Sequence, residues 1–141
     1  MLEKTKKATI FKQMSREIKF RVWDKIAKKW VKNIPIIRQI TNEFLYLNKD
    51  TKDIIFQQLT GLKDEKDKEI YEGDILVIAD GNPPEYSNSI VTVEWMNNGW
   101  GYRDINDEKI ESIYGLIGDA NKDDCAEIIG NIFQNPELLK K

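Results

Sequence analysis

Apolar and polar residues alternate at every second position along much of this chain. Across residues 16–31, REIKFRVWDKIAKKWV, Ile18, Phe20 and Val22 alternate with Lys19, Arg21 and Trp23, the period of a strand with one buried face. Lys29, Trp30 and Val31 predict a second short strand. Residues 24–28 would then form the turn, with Trp23 and Trp30 near its two ends. Beyond Pro35, IIRQI and EFLYL predict two more short strands separated by Thr41 and Asn42, residues 49–53 (KDTKD) a polar loop, and residues 54–59 (IIFQQL) a return to extended chain.

The second half repeats the pattern. In IVTVEW, Val91, Val93 and Trp95 share one face and Thr92 and Glu94 the other. Asn98-Gly99 then predicts a tight turn with positive φ, and Trp100 and Tyr102 share a face of the returning strand. Residues 81–89, GNPPEYSNS, read as an exposed loop ahead of that hairpin. AEIIGNIF predicts a strand interrupted at Gly130 by a bulge or a close backbone approach. Asn135-Pro136 predicts an N-cap followed by a closing helical turn in NPELL. With no long amphipathic helical period, the fold class is mainly β with little helix, a small barrel or meander.

One segment, TGLKDEKDKEIYEGDIL at residues 60–76, interrupts the alternation with a dense mixture of charges between Gly61 and Gly73. It predicts a long loop or β-arch. The glycines would make its corners, DEKDKE its solvated tip, and Leu62, Ile70 and Tyr71 the apolar anchors that hold it to the body before the buried strand DILVIA.

At 141 residues, 40% hydrophobic, with four tryptophans, the chain has material for one ordinary domain, or for a small barrel with an arm. Its longest apolar run, ILVIA at residues 75–79, is far short of the roughly 20 residues that span a bilayer. MLEKTKKATIFKQM has no signal-peptide pattern, so a cytoplasmic protein without a membrane partner is expected. Cys125 stands alone, which excludes an intrachain disulfide, and there is no histidine. Histidine-based nucleophile activation and the commonest zinc ligand are thereby absent.

Charge is more informative than its total. Residues 1–40 hold twelve Lys/Arg against three Asp/Glu, whereas the remainder holds ten against twenty-one. The basic part can lie against acidic protein, its own or a neighbouring subunit's, or against nucleic acid. A sequence pI near 5.3 favours protein. The candidate interaction surface is Lys19, Arg21, Trp23, Lys25, Lys28, Lys29 and Trp30. Trp23 and Trp30 read as cross-strand packing, or as a stacking platform for bases beside the lysines and arginine.

No catalytic, metal or cofactor site is expected. Asp119, Asn121 and Asp123 alternate as in a calcium loop, but Asp124 occupies the bend that requires glycine and Gly130 the place of the bidentate glutamate. Asp64-Glu65-Lys66 and Asp107-Glu108-Lys109 carry an acidic-x-lysine arrangement found in some metal-dependent nucleases, a pattern that arises easily by chance in a chain one-third charged.

The order REIKFRVWDK, FQQLTGLKDEKDKEIYEGDIL, VTVEW and EIIGNIFQNPELL resembles the YopX protein family, encoded largely in bacteriophages and prophages of Gram-positive bacteria. The resemblance runs from about Met14 to Leu139. At the tip of the charged segment the family usually has Asn-Gly, where this chain has Lys66-Asp67. The resemblance implies an SH3-like barrel over residues 54–141, a β-hairpin-rich amino-terminal region over residues 14–53, and a basic extension, residues 1–13, outside it. It implies no activity. The expected function is that of a non-catalytic phage or prophage accessory protein acting through self-association or contact with a phage or host protein. Nucleic-acid binding by the basic part is the alternative, and a metal-dependent hydrolase or nuclease the least favoured.

Overall fold

A computed structural model describes residues 17–32, 51–79, 88–106, 110–113 and 125–140. The predicted strands IIRQI and EFLYL, the basic extension, the calcium-like Asp119, Asn121, Asp123 and Asp124, and the Asp107-Glu108-Lys109 triplet lie outside these residues. Nine strands are described: β1 (Phe20–Asp24), β2 (Lys29–Trp30), β3 (Ile54–Lys63), β4 (Glu69–Tyr71), β5 (Asp74–Ala79), β6 (Asn88–Met96), β7 (Gly99–Asp104), β8 (Ile110–Ser112) and β9 (Cys125–Asn131). Short 3₁₀ turns, Thr51–Asp53 and Pro136–Leu139, precede β3 and follow β9.

The strands form two antiparallel sheets, β2-β1-β3-β4 and β8-β7-β6-β5-β9, the second curled into a half-barrel. The fold is mainly β, as the alternation predicts. Because β1 pairs with β3 from Phe20↔Gln58 to Asp24↔Ile54, the first sheet draws on both sides of residue 53. The main core lies in the curl, where Ile70, Leu76, Val91, Val93, Trp100, Ile113 and Ala126 meet and Leu62, Ile78, Tyr102 and Ile128 pack around them. Ile70 and Leu76 are wholly enclosed, and a fully buried side chain of this size contributes about 1.5–3 kcal/mol. The three predicted anchors of the charged segment, Leu62, Ile70 and Tyr71, are all packed inward.

Several local expectations are revised. The charged segment is a β-hairpin instead of a long loop: Gly61, at φ +84°, takes up a register irregularity between Leu59 and Lys63, so β3 continues past it. The tip turns at residues 64–68, with Asp67 at φ +65°, a conformation that aspartate tolerates better than most side chains. The turn thus forms with Lys66-Asp67 at its tip. Between β6 and β7 the turn residues are Asn97 and Asn98, one place earlier than Asn98-Gly99 predicts. Pairing of Trp95 with Trp100 and Met96 with Gly99 draws the glycine into the strand, and φ is positive only at Lys28, Gly61, Asp67 and Gly73 among the described residues.

In β9, Ile128 faces Leu76 and Gly130 faces Ile75, leaving Ile129 as a bulge. The predicted bulge occurs one residue earlier, and what crowds Gly130 is a side chain and not backbone: a Cβ there would lie 2.6 Å from Asn135 Oδ1. That approach also explains why Asn135 makes no side-chain cap for the final turn. Its carboxamide oxygen instead accepts the Asn131 N–H at 3.2 Å.

The charged hairpin tip has a structural task. Glu65 N–H donates to the Ala126 carbonyl at 3.0 Å, and the Asp64 carboxylate accepts the N–H of Ile128 at 3.1 Å, so the tip covers the outer edge of β9. Asp64 also accepts the N–H groups of Lys66 and Lys68, each at 2.9 Å. Burial acts to raise its pKa, but these three donors and the Lys68 charge outweigh it and hold the carboxyl below its ordinary value. A depressed carboxyl adds stability above its unfolded pKa and loses it as pH falls through the folded one. Asp64→Asn presents an amide donor or forfeits an acceptor towards these N–H groups. It is expected to cost about 1–3 kcal/mol at neutral pH in urea unfolding, with the deficit shrinking in acid as the native Asp64 becomes protonated.

Candidate interaction site on the first hairpin

The β1–β2 hairpin carries the seven residues singled out by the sequence, and the fold divides them. Its turn is built by Asp24, a buried residue whose carboxylate accepts the N–H of Ile26 at 3.0 Å and of Ala27 at 2.8 Å. Lys25 N–H donates to the Asp53 carbonyl at 2.9 Å, and Lys28 closes the turn at φ +51°. Lys25, Lys28 and Lys29 are exposed around Ile26, which is 74% exposed. No ion pair among the described residues engages these three ammonium groups.

Below the turn, Trp23 pairs with Trp30 across the strands, and their rings meet edge to face at 4.9 Å. Trp23 is 5% exposed. The Arg21 guanidinium stands 4.3 Å from the Trp30 ring centroid and 4.5 Å from that of Tyr71. Trp30 Nε1 donates to Gln134 Oε1 at 2.9 Å, tying β2 to the turn after β9. The tryptophan pair is therefore engaged internally: Trp23 is enclosed, and Trp30 meets Trp23 and Arg21.

Arg21 is the centre of a polar clamp between the sheets. Its Nε donates to Gln57 Oε1 at 3.1 Å, and its terminal nitrogen pairs with Asp74. Asp74 also accepts the Tyr71 N–H at 2.8 Å and Asn131 Nδ2 at 3.2 Å. Asn131 Nδ2 donates further to Gln57 Oε1 at 2.9 Å, while Asn131 Oδ1 accepts the Phe133 N–H at 3.1 Å. Thus β1, β3, β5 and β9 each contribute a side chain. Burial pushes the Asp74 carboxyl above its ordinary value, against the opposing influence of Arg21 and the other donors.

Lys19 is also engaged, with Glu69 Oε2 at 2.8 Å. The hydrogen bond raises the lysine pKa and lowers that of Glu69, while burial raises that of Tyr71, whose hydroxyl donates to the same carboxylate at 3.3 Å. Lys19, Arg21, Trp23 and Trp30 accordingly anchor the hairpin, while Lys25, Lys28 and Lys29 form its exposed tip. The sequence reading missed Gln57, Asp74 and Asn131. Its available signal was a polar residue set beside apolar runs, Asp74 before ILVIA and Asn131 after EIIG. No group of three or more potential metal ligands occurs among the described residues, and no helix there is long and apolar enough to cross a membrane.

No curated protein matches this chain. Among solved structures, the crystal structure of protein EF1440 from Enterococcus faecalis has a TM-score of 0.59 and 24% sequence identity, covering 89% of this chain and 100% of that one. At that identity the likeness carries the fold alone. The YopX protein family matches residues 19–140, a span from the clamped hairpin through the final 3₁₀ turn. The chain belongs to the YopX family.

Proposed function

We propose that this YopX-family chain is a non-catalytic accessory protein of phage or prophage that works by binding protein, a second copy of itself or a phage or host partner. In this reading it acts in the cytoplasm and needs no cofactor, and residues 54–141 form an SH3-like barrel to which the hairpin is joined through β3. The observation that supports it is the division of the basic residues: Lys19 and Arg21 hold the hairpin to the body, leaving Lys25, Lys28 and Lys29 around an exposed Ile26. A lysine tip with an apolar centre suits an acidic protein surface, where charge steers the encounter and the apolar residue is desolvated on contact.

The test is solution mass by light scattering across a salt series, with and without mixed phage and host DNA. A species heavier than the monomer at low salt, shrinking as salt screens the contact and indifferent to DNA, is the expected result. A monomer that gains mass only with DNA would replace this reading with nucleic-acid binding. That binding would have to use lysine contacts to phosphate, since Trp23 is buried and Trp30 engaged by Arg21 and Trp23.

A further inference from the structure

The tip of the β1–β2 hairpin is an exposed and internally braced set of charged and apolar groups. Asp24 fixes two of its N–H groups, Asp53 accepts a third, and the Trp23–Trp30 contact stiffens its base. A turn held in this way loses little conformational freedom on binding, so more of its contact energy is retained as affinity. Ile26 occupies the apex, with lysines at positions 25, 28 and 29 around it. Phosphate recognition has no use for an isoleucine at the apex. An acidic protein surface with an apolar depression uses all four residues.

We infer that residues 25–29 are the contact by which one copy docks on the acidic part of a second copy, with Ile26 seated against apolar surface and the lysines against carboxylates. This rests on the self-association branch of the functional reading and assigns its site. The second copy is the occupant because the chain carries the complement: beyond residue 40, ten Lys/Arg stand against twenty-one Asp/Glu. Opposite charges on separate parts of one chain permit head-to-tail as well as two-fold association.

Equal amounts of unlabelled and ¹⁵N-labelled full-length chain, mixed at low salt, can be treated with a zero-length carbodiimide that couples lysine to carboxylate. Mass spectrometry should find mixed heavy–light products joining Lys25, Lys28 or Lys29 to acidic residues beyond position 40. In parallel, the Ile26→Glu/Lys28→Glu variant should associate about a hundredfold more weakly in sedimentation, with its circular dichroism and thermal unfolding preserved. Ile26→Ser serves as a milder second variant and should weaken association about tenfold. A wild-type oligomer unaffected by either substitution, with mixed products only elsewhere, would overturn this assignment and leave self-association standing. A wild-type monomer at every salt concentration would overturn both.

Discussion

Arg21→Met is expected to destabilise the chain by about 3 kcal/mol, the scale for removing one partner of a buried ion pair. Most of that cost falls on Asp74. Its side chain is 1% exposed, and without the guanidinium its charge would retain only the Tyr71 N–H and the Asn131 amide as compensation. The methionine keeps the aliphatic length of the side chain but removes the guanidinium that stands over Trp30 and Tyr71, so the loss combines charge, hydrogen bonding and ring stacking. Arg21→Lys should recover only part of the loss, because an ammonium has neither the planar stack nor the fork that reaches Gln57 and Asp74 together.

The pH dependence separates this account from a simple packing defect. A carboxyl whose folded pKa lies above its unfolded value costs stability at high pH, and the cost is relieved as pH falls from the folded value through the unfolded one. Burial already sets Asp74 in that direction in the native chain. Removing Arg21 raises the folded pKa further, so the Arg21→Met deficit should be greatest at neutral pH and shrink in acid. Denaturant unfolding of Arg21→Met, Asp74→Asn and the double variant between pH 4 and 7 checks this about a clamp in which the double variant costs less than the sum of the singles. A deficit constant with pH would place its cause in packing.

How much of this was legible in the sequence depends on the range of the interaction. Alternation along one strand places Val22, Val91 and Val93 in the core, and the short turn after Asp24 pairs Trp23 with Trp30, because each inference needs only neighbours on one or two adjacent strands. Around β1 the alternation otherwise fails, since Ile18 on the predicted buried face is 47% exposed and Trp23 on the opposite face is 5% exposed. The clamp joins residues 53 and 57 positions apart, at Arg21–Asp74 and Asn131–Asp74. No local period encodes that meeting. Trp95 shows the same limit from the other side: it shares the predicted face of Val91 and Val93, yet lies at the strand end, edge-on to Trp100 and 52% exposed. Arg21 reads as surface charge because a sequence shows its sign without its partner, the buried Asp74. Lys25, Lys28 and Lys29 are exposed at the hairpin tip, and Lys19 is exposed as well despite its pair with Glu69.

Gly73→Ala is expected to cost about 3 kcal/mol or more, through two effects that Gly61 allows to be separated. Both glycines adopt left-handed φ, +79° and +84°, for which a Cβ costs roughly 1–2 kcal/mol. At Gly61 nothing lies within 4 Å of the added carbon, so Gly61→Ala should show the backbone cost alone. At Gly73 the same carbon would fall 2.3 Å from Gln57 Nε2. Gln57 is buried and receives Arg21 Nε and Asn131 Nδ2 on its Oε1, so moving it disturbs the clamp. The backbone has little room to retreat either: Gly73 N–H donates to the Val93 carbonyl at 2.8 Å, and its own carbonyl accepts the Ile132 N–H at 2.9 Å. A buried hydrogen bond left unmade adds about 1–3 kcal/mol to the backbone cost. Urea unfolding of the two alanine variants should therefore show the larger loss at Gly73. Introducing Gln57→Ala beside Gly73→Ala should make the double variant less unstable than the sum of the singles, since the side chain displaced by the new methyl is already gone. Equal losses at Gly61 and Gly73 would mean that Gln57 yields without disturbing its partners, and that the clamp is looser than its hydrogen bonds imply.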